Sequence, residues 1–154
     1  MLFRSAADWE VWAAIEGLYR SGKTKMIGIS NVTAEQLTLL CAQAAVKPMM
    51  VQNRCYAALG WDKAVREICR THGVIYQGFS LLTANREVFA DPSIRAIAQR
   101  LGTGLVQVVF QFAMQVGMLP LTGTTNPQHM KDDLQAEQLT LTAEEMQVIE
   151  TIGI

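Results

Sequence analysis

The sequence predicts a parallel α/β fold built from consecutive βαβ units. Three observations carry this. Four short apolar segments, Met26–Ile29, Met49–Gln52, Val74–Phe79 and Met118–Leu121, alternate with helical patterns. Each helix opens on a cap and several close on glycine, so the connections are short. The four segments lack strict period-two alternation, which predicts strands covered on both faces.

The elements follow in order. Ser5-Ala-Ala-Asp8 is a capping-box pattern, and Trp9, Trp12, Ile15 and Tyr19 then recur near helical spacing. Gly22 and Lys23 close that helix ahead of the first strand. Thr33-Ala-Glu-Gln36 is a second capping box and opens a helix to about Ala45. The strand Met49–Gln52 follows Pro48, and Asp62 caps the next helix, Lys63–Thr71, which stops at Gly73. Val74–Phe79 is the third strand. Asp91-Pro92 sets a cap and a first-turn proline for a helix to about Leu101. Gly102-Thr103-Gly104 breaks it, and Leu105–Gln115 continues as a new helix before the fourth strand. Asn126-Pro127 opens another capped helix to about Ala136, and Thr142-Ala-Glu-Glu145 opens the terminal one.

The composition bounds the function. The chain has 154 residues, 50% of them hydrophobic and 18% charged, with a net charge of −1. That is enough apolar material for a packed core and too little charge for disorder. No linker divides it, so a single domain over 1–154 is expected. No basic stripe appears, which argues against nucleic acid. The longest apolar runs, such as Leu105–Phe110, are interrupted by Gln and too short for a membrane span. The N-terminal Met-Leu-Phe-Arg-Ser has no signal-peptide core. Three cysteines without a Cys-x-x-Cys fit a reducing cytoplasm. Cys41 and Cys69 read as core residues; Cys55 follows a strand end and reads first as packing, with a pocket-facing thiol as the alternative. No metal-ligand cluster is visible.

Polar residues gather where the predicted strands end. Ser30-Asn31 follow the first strand, Gln52 ends the second, and Ser80 follows the third. Ligands of parallel α/β sheets are met at those carboxyl ends. Gly123-Thr124-Thr125-Asn126-Pro127 is a small, hydroxyl-rich loop running into a helix, whose free N–H groups and dipole favour an anion. Taken singly, each of these has a plainer reading as a turn, a cap or a core residue.

The ordered set of motifs resembles the aldo-keto reductase superfamily. It comprises Gly22-Lys23 with Ile27-Gly28-Ile29-Ser30-Asn31; Val51-Gln52-Asn53; Gly78-Phe79-Ser80-Leu81-Leu82; Ala98 with Leu101-Gly102-Thr103; Gln107-Val108-Val109; Pro120-Leu121-Thr122-Gly123-Thr124; and Leu141-Thr142-Ala143-Glu144-Glu145. The resemblance implies a parallel (β/α) half barrel, matching strands five to eight of a TIM-type barrel, and an NADP-dependent carbonyl reductase, with NAD as the alternative cofactor. It implies that Ser30, Asn31 and Gln52 meet the nicotinamide carboxamide, that Phe79 stacks on its ring, and that Ser80 and Leu82 lie along the pyrophosphate. Gly123, Thr124 and Thr125 would form the phosphate loop. His129 stands where many members have Arg for the 2′-phosphate, and Asp132 and Asp133 stand where Glu and Asn usually contact adenine.

The resemblance implies that strands one to four, which carry the family's catalytic Asp, Tyr, Lys and His, are lacking here, so no catalytic residue is assigned and the isolated chain is expected to be inactive. Tyr19, Tyr56 and Tyr76 read as packing residues. A half barrel has open edges, and the resemblance therefore implies a partner: a second copy of this chain or a separate N-terminal half, besides a small carbonyl substrate. The alternative is a non-catalytic nucleotide-binding or assembly module.

Overall fold

The computed structural model describes residues 5–154; residues 1–4, which include most of the stretch read for a signal sequence, lie outside the described part. In chain order the elements are α1 (Ala6–Arg20), β1 (Gly28–Ser30), α2 (Ala34–Gln43), β2 (Met50–Arg54), a kinked 3-10 stretch (Ala57–Asp62), α3 (Lys63–His72), β3 (Ile75–Phe79), α4 (Arg86–Ala90), α5 (Pro92–Leu101), α6 (Leu105–Gln115), β4 (Met118–Pro120), α7 (Pro127–Gln135), a 3-10 turn (Ala136–Gln138) and α8 (Ala143–Thr151). The strands take the order β1-β2-β3-β4. In the first pair the register is parallel, with Gly28, Ile29 and Ser30 opposite Met50, Val51 and Gln52. The contacts divide the chain into two compact units, residues 5–53 with 63–77, and residues 54–62 with 78–154.

The first unit packs α2 and α3 around Leu37, Leu40, Cys41, Val65 and Cys69, all buried. Helix α1 is tied to the chain before β2 by two side chains. The Trp12 indole Nε1 donates to the Val46 carbonyl at 3.1 Å. One turn later, Oε1 of the buried Glu16 accepts from the Val46 N–H at 2.9 Å. Both polar groups of that peptide are thereby satisfied away from water. The other Glu16 oxygen pairs with Arg20 at 3.0 Å. Gly28 is required by close packing: a Cβ there would fall 2.6 Å from the Met50 carbonyl oxygen.

The second unit is organised around α6. Six consecutive residues, Val108 to Ala113, are buried, so this helix is covered all round. Trp61 is fully buried against it, its ring centroid 5.0 Å from that of Phe112 at a 55° tilt. The indole N–H donates to the Ile149 carbonyl at 2.9 Å. An ion pair joins α5 to α8: Arg100 grips Glu145 with Nε to Oε1 at 2.5 Å and Nη2 to Oε2 at 2.6 Å. Glu145 Oε2 also accepts the Thr142 N–H at 2.8 Å, closing the capping box of α8. The hydrogen bonds from Arg100 hold the Glu145 carboxyl below the usual carboxylate range. A carboxyl with a depressed folded pKa stabilises the fold above its unfolded pKa and loses that contribution as pH falls through the folded value. Arg100→Met is therefore expected to lower the midpoint of thermal unfolding at pH 7, with the gap to the parent closing below about pH 4; thermal melts across pH 3–7 measure it.

Helices and caps largely fall where the sequence places them, with Asp62 instead inside the kinked stretch at φ 55°. Asp91, Asn126, Thr33 and Thr142 each accept an N–H of the following turn. Helix α6 spans Leu105–Gln115 as read, whereas α2 ends at Gln43, short of Ala45. The strands shift by one or two residues towards their carboxyl ends in β1 and β2. Three elements have no counterpart in the sequence reading, the short α4, the 3-10 turn Ala136–Gln138 and the kinked stretch 57–62, in which Gly60, Trp61 and Asp62 all take left-handed φ, 65°, 53° and 55°.

The expectation of strands covered on both faces is corrected. In β2, Val51 and Asn53 are buried while Gln52 and Arg54 are exposed, and in β3 Tyr76 and Gly78 are buried while Ile75 is exposed. Ending β2 at Gln52 hid this alternation, because the register becomes visible only with Asn53 and Arg54 included.

Candidate functional site

In the first unit, Ser30 is paired opposite Gln52 at the end of the β1–β2 ladder. Asn31 then turns the chain with φ 55° while its N–H donates to the Gln52 carbonyl at 3.0 Å. Ser30, Asn31 and Gln52 are thus brought together, with Gln52 also donating to Gln77 at 3.2 Å. Ser30 is half-buried, and Asn31 and Gln52 are exposed. The turn is locked by Asn53, which is buried: its Oδ1 accepts the Val32 N–H at 3.0 Å and its Nδ2 donates to the Val32 carbonyl at 2.8 Å.

In the second unit, Phe79 ends β3 and Ser80 follows it with φ 60°. The Arg54 guanidinium lies 5.7 Å from the Phe79 ring centroid and 5.9 Å from that of Tyr56, and it donates to the Tyr56 hydroxyl at 3.1 Å. Such stacking draws the cation to the ring faces. Asn85 is fully buried and holds two loops at once. Its Oδ1 accepts the Ala57 N–H at 2.6 Å, and its Nδ2 donates to the carbonyls of Cys55 at 3.0 Å and Leu81 at 2.9 Å.

Two cavities open in this unit. One of about 310 Å³ is lined by Ser80 to Thr83 and Leu121 to Gly123. The other, about 430 Å³, collects Leu82, Gly123, Thr124, His129, Asp132 and Asp133, six residues read as candidates from the sequence. Thr122 and the stretch Gly104–Gln107 complete its wall. From the sequence, Gly104–Val106 reads as a helix break and the start of α6, and Gln107 as part of a resemblance motif without a site role; the glycine-flanked N-terminus is the available signal. Thr125 is exposed and lines neither cavity.

The donors at the start of α7 are largely engaged. The Asn126 N–H donates to Thr124 Oγ1 at 3.1 Å and the Gln128 N–H to Asn126 Oδ1 at 2.9 Å, while Pro127 has none. Asp132 accepts from Gln128 at 2.8 Å. Burial pushes the Asp133 carboxyl up, against the pull of His129.

The three cysteines are buried thiols. Cys55 lies 3.8 Å from Met118, sulfur to sulfur, so packing is its role. Burial also raises the Cys41 thiol. Among the described residues no helix is long and apolar enough to cross a membrane.

A parallel strand set with polar loops at its carboxyl ends is the α/β architecture in which ligands are ordinarily met at those ends. The sequence matches the model of the Aldo/keto reductase family over residues 3–154, and the chain belongs to that family. It is 32% identical over 153 residues to the 7-acetyl-epi-neemfruitin B aldo-keto reductase of Melia azedarach, covering 94% of this chain and 47% of that one. It is 28% identical to the NADPH-dependent alpha-keto amide reductase of Saccharomyces cerevisiae, covering 94% and 49%. The chain therefore spans about half the length of these relatives. A crystal structure of an aldo/keto reductase from Brucella melitensis shares the fold with a TM-score of 0.84 at 20% identity, covering 98% of this chain and 58% of that one.

Proposed function

We propose that this chain holds a nicotinamide dinucleotide for hydride transfer between the cofactor and a small carbonyl compound or its alcohol. The observation that carries the reading is the 430 Å³ cavity, which gathers Leu82, Gly123, Thr124, His129, Asp132 and Asp133. Family membership and a relative named as NADPH-dependent support it.

Hydroxyl, carboxylate and small residues in that wall suit a ribose and a purine, which need hydrogen-bond partners beside apolar surface. When bound, the dinucleotide supplies the hydride. In this reading Ser30, Asn31 and Gln52 offer donors and acceptors to its carboxamide. Phe79 offers a ring face to the nicotinamide. Ser80 and Leu82 line the pyrophosphate, and Gly123 to Thr125 sit beside the adenosine end. The four strands then stand for the fifth to eighth of the family barrel. In this reading the proton for the carbonyl oxygen comes from a group other than these cofactor-facing residues.

Titration with NADH and NADPH, followed by dihydronicotinamide fluorescence, tests the reading. Micromolar binding of either supports it, and no binding at millimolar concentration rejects it. Turnover of an aldehyde or ketone that disappears in Phe79→Ala would separate a reductase from a non-catalytic nucleotide-binding module.

A further inference from the structure

We propose that the 430 Å³ cavity takes an adenosine whose 2′ position carries a hydroxyl rather than a phosphate, so that this chain prefers NAD(H) to NADP(H). The inference rests on the dinucleotide reading above and fixes which dinucleotide.

The first ground is the charge of the wall. The ionisable groups lining the cavity are His129, Asp132 and Asp133, with no Lys or Arg among the lining residues. Lys131 lies between them in sequence but is exposed and does not line it. A phosphate monoester carries close to two negative charges at neutral pH and is ordinarily met by a cation or a cluster of free N–H donors. Here it would enter beside two half-buried carboxylates, which repel a like charge.

The second ground is the state of the helix start. Phosphates bind helix N-termini because the first N–H groups are unspent. In α7 the Asn126 and Gln128 N–H groups are already satisfied by Thr124 and Asn126 side chains, and Pro127 contributes none. A phosphate could use those two N–H groups only by breaking these bonds.

The same wall suits a ribose diol. Carboxylates are acceptors, and ribose hydroxyls are donors. An acidic side chain reading the ribose 2′-hydroxyl is how other dinucleotide folds select NAD, with Arg in that place selecting NADP. The desolvated Asp133, whose carboxyl is pushed up by burial, gains a partner from such a hydroxyl.

The test is the ratio of dissociation constants for NADH and NADPH on the unmodified chain, read by fluorescence at one ionic strength. NADH binding tighter by about tenfold or more is expected. The double variant His129→Arg with Asp133→Asn should reverse the ratio by giving the 2′-phosphate a cation and removing one carboxylate. Equal affinities, or NADPH tighter on the unmodified chain, would overturn the preference while leaving the dinucleotide reading intact. Binding of neither would reject that reading and the preference with it.

Discussion

Asn85→Ala is expected to destabilise the second unit by about 3–5 kcal/mol and to weaken dinucleotide binding in the fraction that folds. The side chain is fully buried. It spends one acceptor and two donors on Ala57, Cys55 and Leu81. Truncation leaves a backbone N–H without a partner in a place water does not reach, and deprives two carbonyls of a donor. Each such group costs on the order of 1–3 kcal/mol. The Leu81 end of the network belongs to the loop that lines both cavities of this unit. Urea unfolding followed by circular dichroism gives the stability change, and dinucleotide fluorescence gives the affinity. Asn85→Asp, which sets a buried carboxylate oxygen against the Cys55 and Leu81 carbonyls, should cost at least as much as Ala.

Trp61→Ala should cost the same unit about 3–5 kcal/mol, and more if the surrounding chain fails to close the void. Against a usual total of about 5–15 kcal/mol, such a loss leaves a substantial unfolded fraction at 37 °C. Trp61 is fully buried and packs on Phe112, and its indole N–H satisfies the Ile149 carbonyl. It also sits at φ 53°, a backbone state that costs a non-glycine residue roughly 1–2 kcal/mol. Burial of the indole offsets that strain, so removing the ring exposes the cost of the turn as well. Trp61→Phe keeps most of the buried area and should lose less. Urea unfolding at two wavelengths, with the midpoint compared across the three proteins, would measure the series.

Much of this arrangement is legible in the sequence because it is local. A Thr or Asn cap reaches only two or three residues, as at Thr33, Asp91, Asn126 and Thr142, so its pattern survives without tertiary context. Helix α6 is legible from its predominantly apolar stretch between glycines. The strand ends are less so, since Asn53 and Arg54 extend β2 by pairing rather than by composition. Helix α4 has five residues and no period to read. The candidate site follows the same division. Leu82, Gly123, Thr124, His129, Asp132 and Asp133 come from loops near one another along the chain or from ordered motifs, and one cavity collects them. Asn53 and Asn85 act on residues 21 to 30 positions away, and no local pattern marks such a long reach. Arg54 beside Phe79 is likewise a product of neighbouring strands, invisible to spacing.

The left-handed turns at Asn31 and Ser80 bear on how such a chain could evolve. Both residues close a strand at φ near 55–60°, where glycine would be more comfortable. Ser80→Gly would relieve backbone strain and remove a hydroxyl from a cavity wall in one step. Selection for stability alone would therefore favour drift to glycine at this position, and retention of serine across a lineage would be the mark of selection on the ligand. A stabilised but weakly binding Ser80→Gly protein would be the trade-off made visible at a single residue.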